Sequence, residues 1–535
     1  VASGLMLDSF NLRTSPYSLA SFGEVFYTLP PEQDRELELG VTGYSGWGSV
    51  NNSPPGQWIR RNVEVNDTLT WIAGRHTINL GGEYTPFAMF DSYTKYQQSG
   101  NFSFSGQITG NGIGDLLLGK VATFNQSAGK FKQTRGKQVS FFVEDSFRVR
   151  PRLTLTAGLR WDPYLPYHDL LGQVAGFREG NRSKRFLNAP PGAIFPGDPD
   201  FPQGGMNNDL NNFGPRFGFA FTPRSGDRTT VVRGGYGIFF VRPFPRLYNN
   251  FVESAPFSPT MSLPGVDMQN PYVSAGIKSP FPPFAPMSLA PDSPFVFPMP
   301  YAWFDEHWGV GNSQAWNLTV EQQLTTDLLM RVAYVGNKGT HLQSFREQNA
   351  AVYRAGATVA NTNARRPYAP YYASMRQLVD SGNSVYHSLQ VTLEKRFSAN
   401  FSLLAFYTFS KSIDDASNNA QFTFANPHPT DQRFNRGVSD FDIPHSFRVT
   451  GVFALPRLQS RHAALRWALG GWTLTEILDL RAGLPFGLSS GRDNSFSGMG
   501  LDRADITGNP ALPSNRPTAE RLARYFDSAK ASFNA

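Results

Sequence analysis

Between Val385 and Ser410 the chain reads VYHSLQVTLEKRFSANFSLLAFYTFS, two long alternating runs placed back to back. His387, Leu389, Val391, Leu393 and Phe397 fall on one parity, broken only by Lys395, while Ser388, Gln390, Thr392, Glu394 and Arg396 fall on the other. After Ser398-Ala399-Asn400 the alternation resumes with Phe401, Leu403, Ala405, Tyr407 and Phe409. A period of two marks a β-strand, because successive side chains point to opposite faces, and two such runs across a short break make an antiparallel hairpin. Length then narrows the choice. At roughly 11 or more residues each, these strands exceed the ~5–6 usual in a soluble sheet and match the ~9–11 that cross a bilayer at a tilt. One face is apolar and aromatic and the other polar and charged, the pattern of a wall with lipid on one side and water on the other.

The composition fits such a wall better than a soluble core. Only 40% of the 535 residues are hydrophobic, yet 14% are aromatic, with 45 Phe and 20 Tyr. A polar lumen, a single lipid-facing parity and aromatic girdles at the two interfaces would produce that combination. The 50 Gly and 40 Pro imply many turns and long irregular connections. A net charge of +7 without a run of five Lys or Arg gives no nucleic-acid footprint. The absence of cysteine excludes disulfides, thiolate metal sites and attached c-type haem, and suits a protein that crosses an oxidising compartment. No run of 18 apolar residues occurs, so no transmembrane helix is expected.

Taken in order, Val1–Arg13 and Tyr17–Leu29 carry poor strand signals and Leu37–Tyr44 a better one. The alternation of Val63, Val65, Leu69, Trp71 and Ala73 returns through Thr77–Tyr84 across Gly74-Arg75-His76. Thr85–Gly136 reads as a long loop with one apolar patch, Ile113–Gly119. Further hairpins join Gln138–Arg148 to Leu153–Tyr164, Phe213–Thr222 to Thr229–Phe240, and Asn312–Leu324 to Leu328–Gly336. A last pair, Ser446–Leu455 and Trp472–Arg481, flanks Pro456–Gly471. Pro243–Pro300 holds fourteen prolines, which argues against sheet interior and most helix. A short helix is expected at Thr518–Phe526.

The connections alternate short and long, as in outer-membrane barrels, whose turns are short on the periplasmic side and long outside. That assigns Gly74, Pro151, Arg224, Thr326 and Ala399 to the periplasmic rim and the Pro243–Pro300 loop to the exterior. About fourteen strands give usable signals, within the ~8–26 range of such barrels. The fold expected is all-β, a large antiparallel transmembrane β-barrel forming one domain over residues 1–535 in the cell outer membrane, where its first partner is lipid.

Few residues invite a chemical reading. Gly487-Leu488-Ser489-Ser490-Gly491 has the G-x-S-x-G form of a nucleophile elbow, but that motif needs a strand–turn–helix context, and a Gly/Ser loop follows instead. Tyr334–His341 lacks phosphate-loop spacing and reads as a strand running into its loop. Trp303-Phe304-Asp305-Glu306-His307-Trp308 is the best candidate ligand contact. Trp303 and Trp308 can stack on a sugar or chelator, and Asp305, Glu306 and His307 can bind a metal; the competing reading is an aromatic belt with solvated charges. Asp440, Asp442 and His445 form a weaker trio of the same kind. Glu321, Glu394, Arg160 and Arg396 sit on the polar parity and are expected to form an ion-pair wall. No catalytic constellation is present, so neither an enzyme nor a cofactor is expected.

Four blocks carry a family resemblance: Asn312–Leu342, Val139–Pro163, Phe213–Phe240 and Tyr386–Asp415. In content and order they resemble the barrel of the Oar-like TonB-dependent outer-membrane receptors. The resemblance implies a 22-stranded barrel when complete, an N-terminal plug often preceded by a carboxypeptidase-regulatory-like domain, and uptake of a scarce bulky nutrient such as an oligosaccharide or siderophore. It implies two partners besides lipid: an extracellular ligand, and the TonB energy-transducing complex reached through a plug segment. The plug and the family's last strands are not found in this sequence, so the chain is expected to be a fragment. The alternative function is a structural or adhesive barrel acting through its outer loops. A soluble protein of repeated β-sandwiches would show neither the strand lengths nor the loop alternation.

Overall fold

The computed structural model describes residues 2–10, 38–42, 56–94, 100–128, 130–226, 228–243, 246–249, 255–279, 290–358, 361–417, 428, 431–455, 464, 471–488, 493–499, 502–513 and 515–532. The strand signal at Tyr17–Leu29 and the centre of the G-x-S-x-G stretch, Ser489 to Gly491, lie outside these residues.

The wall is a sheet whose main path runs through thirteen strands, each pairing with the next in sequence order. They are β1 (Ala2–Phe10), β2 (Gly56–Ala73), β3 (His76–Thr94), β4 (Lys130–Arg150), β5 (Leu153–Trp161), β6 (Phe213–Arg224) and β7 (Thr230–Val241). The path continues through β8 (Gly311–Gln323), β9 (Leu328–Glu347), β10 (Tyr372–Ser398), β11 (Phe401–Asp414), β12 (His445–Ala454) and β13 (Thr473–Arg481). Every neighbouring pair is antiparallel. The opening hairpin is β10–β11, with Val391 opposite both Val332 and Tyr407, and Thr392 opposite Arg331 and Phe406.

Two turn chemistries close the tight hairpins. Between β2 and β3, Gly74 takes the left-handed conformation at φ 62°, a torsion glycine adopts without a Cβ clash. Between β10 and β11, Ala399 and Asn400 both have positive φ, 48° and 68°, the torsions of a type I′ turn. The sequence supplies only one residue, Asn400, that tolerates them well.

Register separates the two faces. Leu155, Leu159, Phe217, Phe219, Tyr236, Leu318, Val320, Tyr334 and Leu389 are exposed large apolar residues on one face. Glu83, Arg160, Arg233, Glu321 and Arg331 pair with one another on the opposite face. On the apolar face, Trp161 stacks between Phe141 and Phe213 near the long-loop end, at ring distances of 6.3 and 6.1 Å. Phe401 and Phe453 stack at 6.0 Å near the short-turn end. These are two aromatic tiers bounding an apolar band, as a bilayer requires.

The buried core does not lie in the wall. It lies in a layer built by the long connections, where Tyr164, Tyr248, Phe304, Trp308 and Leu378 pack in one cluster. Phe186, Phe195, Phe257, Tyr301, Trp303 and Tyr372 pack in a second. A third cluster, with Phe102, Phe104, Phe124, Val266 and Tyr272, fills a separate four-stranded sheet.

Several sequence expectations are corrected here. Thr85–Gly136 is not a long loop: β3 runs on to Thr94, β4 begins at Lys130, and between them lie strands Asn101–Phe104 and Lys120–Ser127 and a helix at Gly112–Leu117. Asn111 caps that helix, its side chain accepting from Ile113 N, while buried Asp115 accepts from Thr109 N. Pro243–Pro300 holds no sheet interior among the described residues, but it does supply an edge strand. Thr260–Asp267 pairs with Lys120–Ser127 and contains Pro264, which is tolerated because this strand is an edge of the four-stranded sheet. Ala2–Phe10, within a stretch of weak signal, is held by pairing with Gly56–Glu64. The helix near the end spans Thr518–Ala523, shorter than Thr518–Phe526.

Candidate functional site

The polar face carries its charge as linked pairs. Arg160 reaches Glu83 at 3.0 Å and Asp162 at 2.9 Å, and Arg242 reaches the same Asp162 at 3.2 Å. Farther along the sheet, Glu321 receives Arg233 at 3.1 Å and Arg331 at 3.0 Å. Asp162 and Glu321 therefore each balance two guanidinium groups, and Glu83 one. Of the four residues singled out in the sequence, Arg160 and Glu321 lie in these networks. Thr392 and Glu394 share the face by register, opposite Arg331 and Leu329.

A cavity of about 560 Å³ opens on this face under the long connections, between Phe406, Ser410, Asp442, Arg448 and Arg481. Asp479 sits beside it, 3.0 Å from Arg481 and also paired with Arg448. Asp442 is buried and its carboxylate accepts from Ser412 N at 2.6 Å and from Lys411 Nζ at 3.0 Å. Ser412 and Ser439 share a hydroxyl contact of 2.8 Å. Guanidinium, carboxylate and hydroxyl groups over an aromatic floor can hold a polar ligand. Among the described residues, Ser412 and Ser439 contact each other and no histidine. Sequence reasoning missed Arg448, Asp479 and Arg481; the available signal was the Asp-x-Arg spacing that puts Asp479 and Arg481 on one side of a strand.

The stretch Trp303–Trp308 is folded inward. Trp303 and Trp308 are each only 4% exposed, packed in two core clusters, so neither ring is a surface stacking platform or part of an exposed belt. Burial wins because Met299–Phe304 pairs in parallel with the outer part of β10, Met299 opposite Tyr372 and Phe304 opposite Leu378. Glu306 is clasped by Arg178, whose Nε lies 2.8 Å away, and that contact holds the guanidinium pKa above its ordinary value. Asp305 accepts from His307 N at 2.9 Å and from Gln377 at 3.2 Å. Only His307 is left exposed. Asp440, Asp442 and His445 diverge: Asp442 turns to the polar-face cavity, while His445 contacts Tyr407 Oη at 2.9 Å on the apolar face. Among the described residues no three His, Asp or Glu side chains gather as a metal site. Burial also pushes the phenols of Tyr164, Tyr248, Tyr301 and Tyr372 well up, so this layer holds them neutral.

No curated protein matches the chain. Among solved structures, it is similar to the alcaligin outer membrane receptor FauA from Bordetella pertussis, at 12% identity and a TM-score of 0.35, covering 80% of this chain and 47% of that one. The outer membrane transporter YddB from Escherichia coli matches at 10% identity and a TM-score of 0.40, covering 84% and 51%. The ferripyoverdine receptor of Pseudomonas aeruginosa matches at 11% and 0.37, covering 78% and 39%. The chain thus spans about half the length of the solved structures it matches, or less. The family model described as "Outer membrane beta barrel domain" matches residues 9–535, nearly the whole sequence. With its thirteen-strand antiparallel path, one apolar face and one charged face, this chain belongs to the outer membrane β-barrel family and is a protein of the cell outer membrane.

Proposed function

We propose that residues 1–535 form one barrel domain of a TonB-dependent receptor that takes up a scarce, bulky polar nutrient such as an oligosaccharide or a siderophore. The observation that carries this reading is the charged face itself: linked pairs from Glu83 to Arg331 line one side of the wall, and a recognition cavity at Arg448 and Arg481 opens beneath the long connections. In this reading the long connections face outside and the tight turns face the periplasm, following the loop asymmetry of outer-membrane barrels. Energy reaches the barrel from the TonB complex through a plug segment.

The test is accumulation of labelled oligosaccharides and ferric siderophores by cells carrying the full-length protein, with and without a working TonB system. TonB-dependent accumulation that falls in an Arg448→Gln/Arg481→Gln double variant is the expected result. Accumulation indifferent to TonB would sink the proposal. A structural or adhesive barrel is the second reading, favoured by how tightly the connection layer is packed around Phe186, Phe195 and Trp303. It calls for surface adhesion without accumulation.

A further inference from the structure

The cavity on the polar face has its floor laid out in rows by the strand register. Thr408 stands opposite Ser446, and Ser446 opposite Arg481, so two hydroxyls and a guanidinium form one row across β11, β12 and β13. The next row toward the tight turns is Phe406, Arg448 and Asp479. Rows on one face lie two residues apart along the strand, at ~6–7 Å. Thr408, Ser446, Arg481, Phe406 and Arg448 all line the cavity. Phe441 and Ile443, from the connection that precedes β12, complete its wall.

The charges in this corner do not cancel. Asp479 is the shared acceptor of both guanidiniums: Arg448 Nε donates to its Oδ2 at 3.2 Å, and Arg481 Nε lies 3.0 Å from its Oδ1. Asp442, the carboxylate on the cavity wall, is engaged by Lys411 Nζ at 3.0 Å and by Ser412 N at 2.6 Å. Two guanidiniums over one carboxylate leave a surplus positive charge, and both arginines are half exposed. Because Arg481 holds Asp479 through Nε, the edge formed by its two terminal nitrogens is left for a second planar anion. Phe406 and Phe441 are both exposed large rings beside that edge of the floor.

From this geometry we infer that the cavity binds a ring-borne carboxylate, its carboxylate in the Thr408–Ser446–Arg481 row and its ring against Phe406 and Phe441. The inference deepens the proposed function and rests on the reading of this cavity as the ligand site. A guanidinium edge meets a carboxylate at two points, and neighbouring hydroxyls donate to the remaining lone pairs. One surplus charge matches a carboxylate better than a phosphate group, which carries close to ~2. A cation would be repelled, and a neutral sugar would leave the surplus charge unmatched. Aromatic faces favour a ring over an unbranched chain. The volume of about 560 Å³ lies within the ~300–1,000 Å³ of ordinary ligand pockets. Sugar acids and aryl acids share this chemistry.

The experiment is equilibrium titration of the purified full-length protein, without TonB, by two acid–ester pairs: trigalacturonate and its full methyl ester, and ferulate and methyl ferulate. Each pair keeps the ring and removes the charge, and the two pairs distinguish a sugar acid from an aryl acid. At least one acid is expected to bind about tenfold more tightly than its ester, with the margin shrinking as salt is raised. Arg448→Gln/Arg481→Gln is expected to bring that acid down to the affinity of its ester and to leave the ester unchanged. Thr408→Ala/Ser446→Ala is expected to weaken the acid about threefold. Arg481→Lys, which keeps the charge and loses the fork, is expected to fall between wild type and the arginine double variant. All variants are compared only where they keep the heat-modifiable mobility of a folded barrel. Acid and ester binding alike in both pairs, neither acid binding below about 1 mM, or acid and ester weakening together in the folded arginine variant would each overturn the assignment. Uptake indifferent to TonB would leave the acid preference standing, whereas loss of the preference would remove this inference and not TonB-dependent uptake.

Discussion

Lys395 Nζ lies 2.7 Å from Asp327 Oδ2, so the end of one hairpin strand is tied to the tight turn of the preceding hairpin. Ser398 donates to the same carboxylate, and Thr325 Oγ1 donates to its other oxygen at 2.7 Å. The clasp holds the β8–β9 turn to the end of β10 at the short-turn rim.

That clasp makes the rim acid-sensitive. Hydrogen bonds from Lys395, Ser398 and Thr325 hold the Asp327 pKa well below its ordinary 3.8. A carboxylate depressed in the folded state contributes stability that is present above its unfolded value and is lost as pH falls through the folded one. Wild type is expected to lose thermal stability on acidification below about pH 4 more steeply than Asp327→Asn. Parallel acid melts check it; identical slopes would mean the carboxylate is not held in solution.

Val391 and Thr392 are neighbours on opposite faces. Arginine at Val391 is expected to cost ~2–4 kcal/mol if that position lies near the bilayer midplane, while arginine at Thr392 is tolerated. Refolding titrations in lipid vesicles separate the two, and equal costs would overturn the facing assigned to β10.

Ala399 carries a φ of 48° that alanine adopts only with strain. Ala399→Gly is expected to stabilise the wall by about 0.5–1 kcal/mol, the relief of a left-handed Cβ clash less the added chain entropy of glycine. A denaturant midpoint shift measures it. Asn400→Ala should move the midpoint the other way.

Trp316 lies across Gly336, where an added Cβ would fall 2.2 Å from the indole. Gly336→Ala therefore has to displace that ring from the apolar face, at about 1–3 kcal/mol for an overpacked contact. Thermal melting of the variant against Trp316→Ala/Gly336→Ala tests the pairing: the double change should recover part of the loss relative to additivity.

Trp303→Ala should remove about 3–5 kcal/mol from the connection layer while leaving the wall intact. Limited proteolysis is expected to open residues 255–304 in this variant with the heat-modifiable mobility unchanged. Simultaneous loss of both would show that layer and wall unfold as one unit.

The wall was readable because its physics is one-dimensional. In Val385–Ser410 the strand period alone sorts Val391 from Thr392, and the paired registers agree. The connection layer was not readable by the same rule. The prolines of Pro243–Pro300 argued only against sheet interior, and the edge strand Thr260–Asp267 depends on neighbours far away in sequence. Trp303 and Trp308 looked like surface aromatics because nothing local reveals that Met299–Phe304 is capped by β10. The polar-face cavity needed Asp442, Arg448 and Arg481 to meet across three segments, a convergence only the sheet order discloses.

The location of the buried core, in the connections and not between the strands, means that this molecule is stabilised by two solvents. Within the bilayer no water is displaced when strands pair, so the wall is held by its ladder of backbone hydrogen bonds. Above the bilayer, Phe186, Tyr301 and Trp303 are held together by water. The heat capacity of unfolding, which follows apolar surface newly exposed to water, should therefore come mainly from the connections, although most of the strand residues lie in the wall. Urea and temperature would act first on the connection layer and detergent first on the wall, so that layer can drift in sequence without disturbing the strands that carry it.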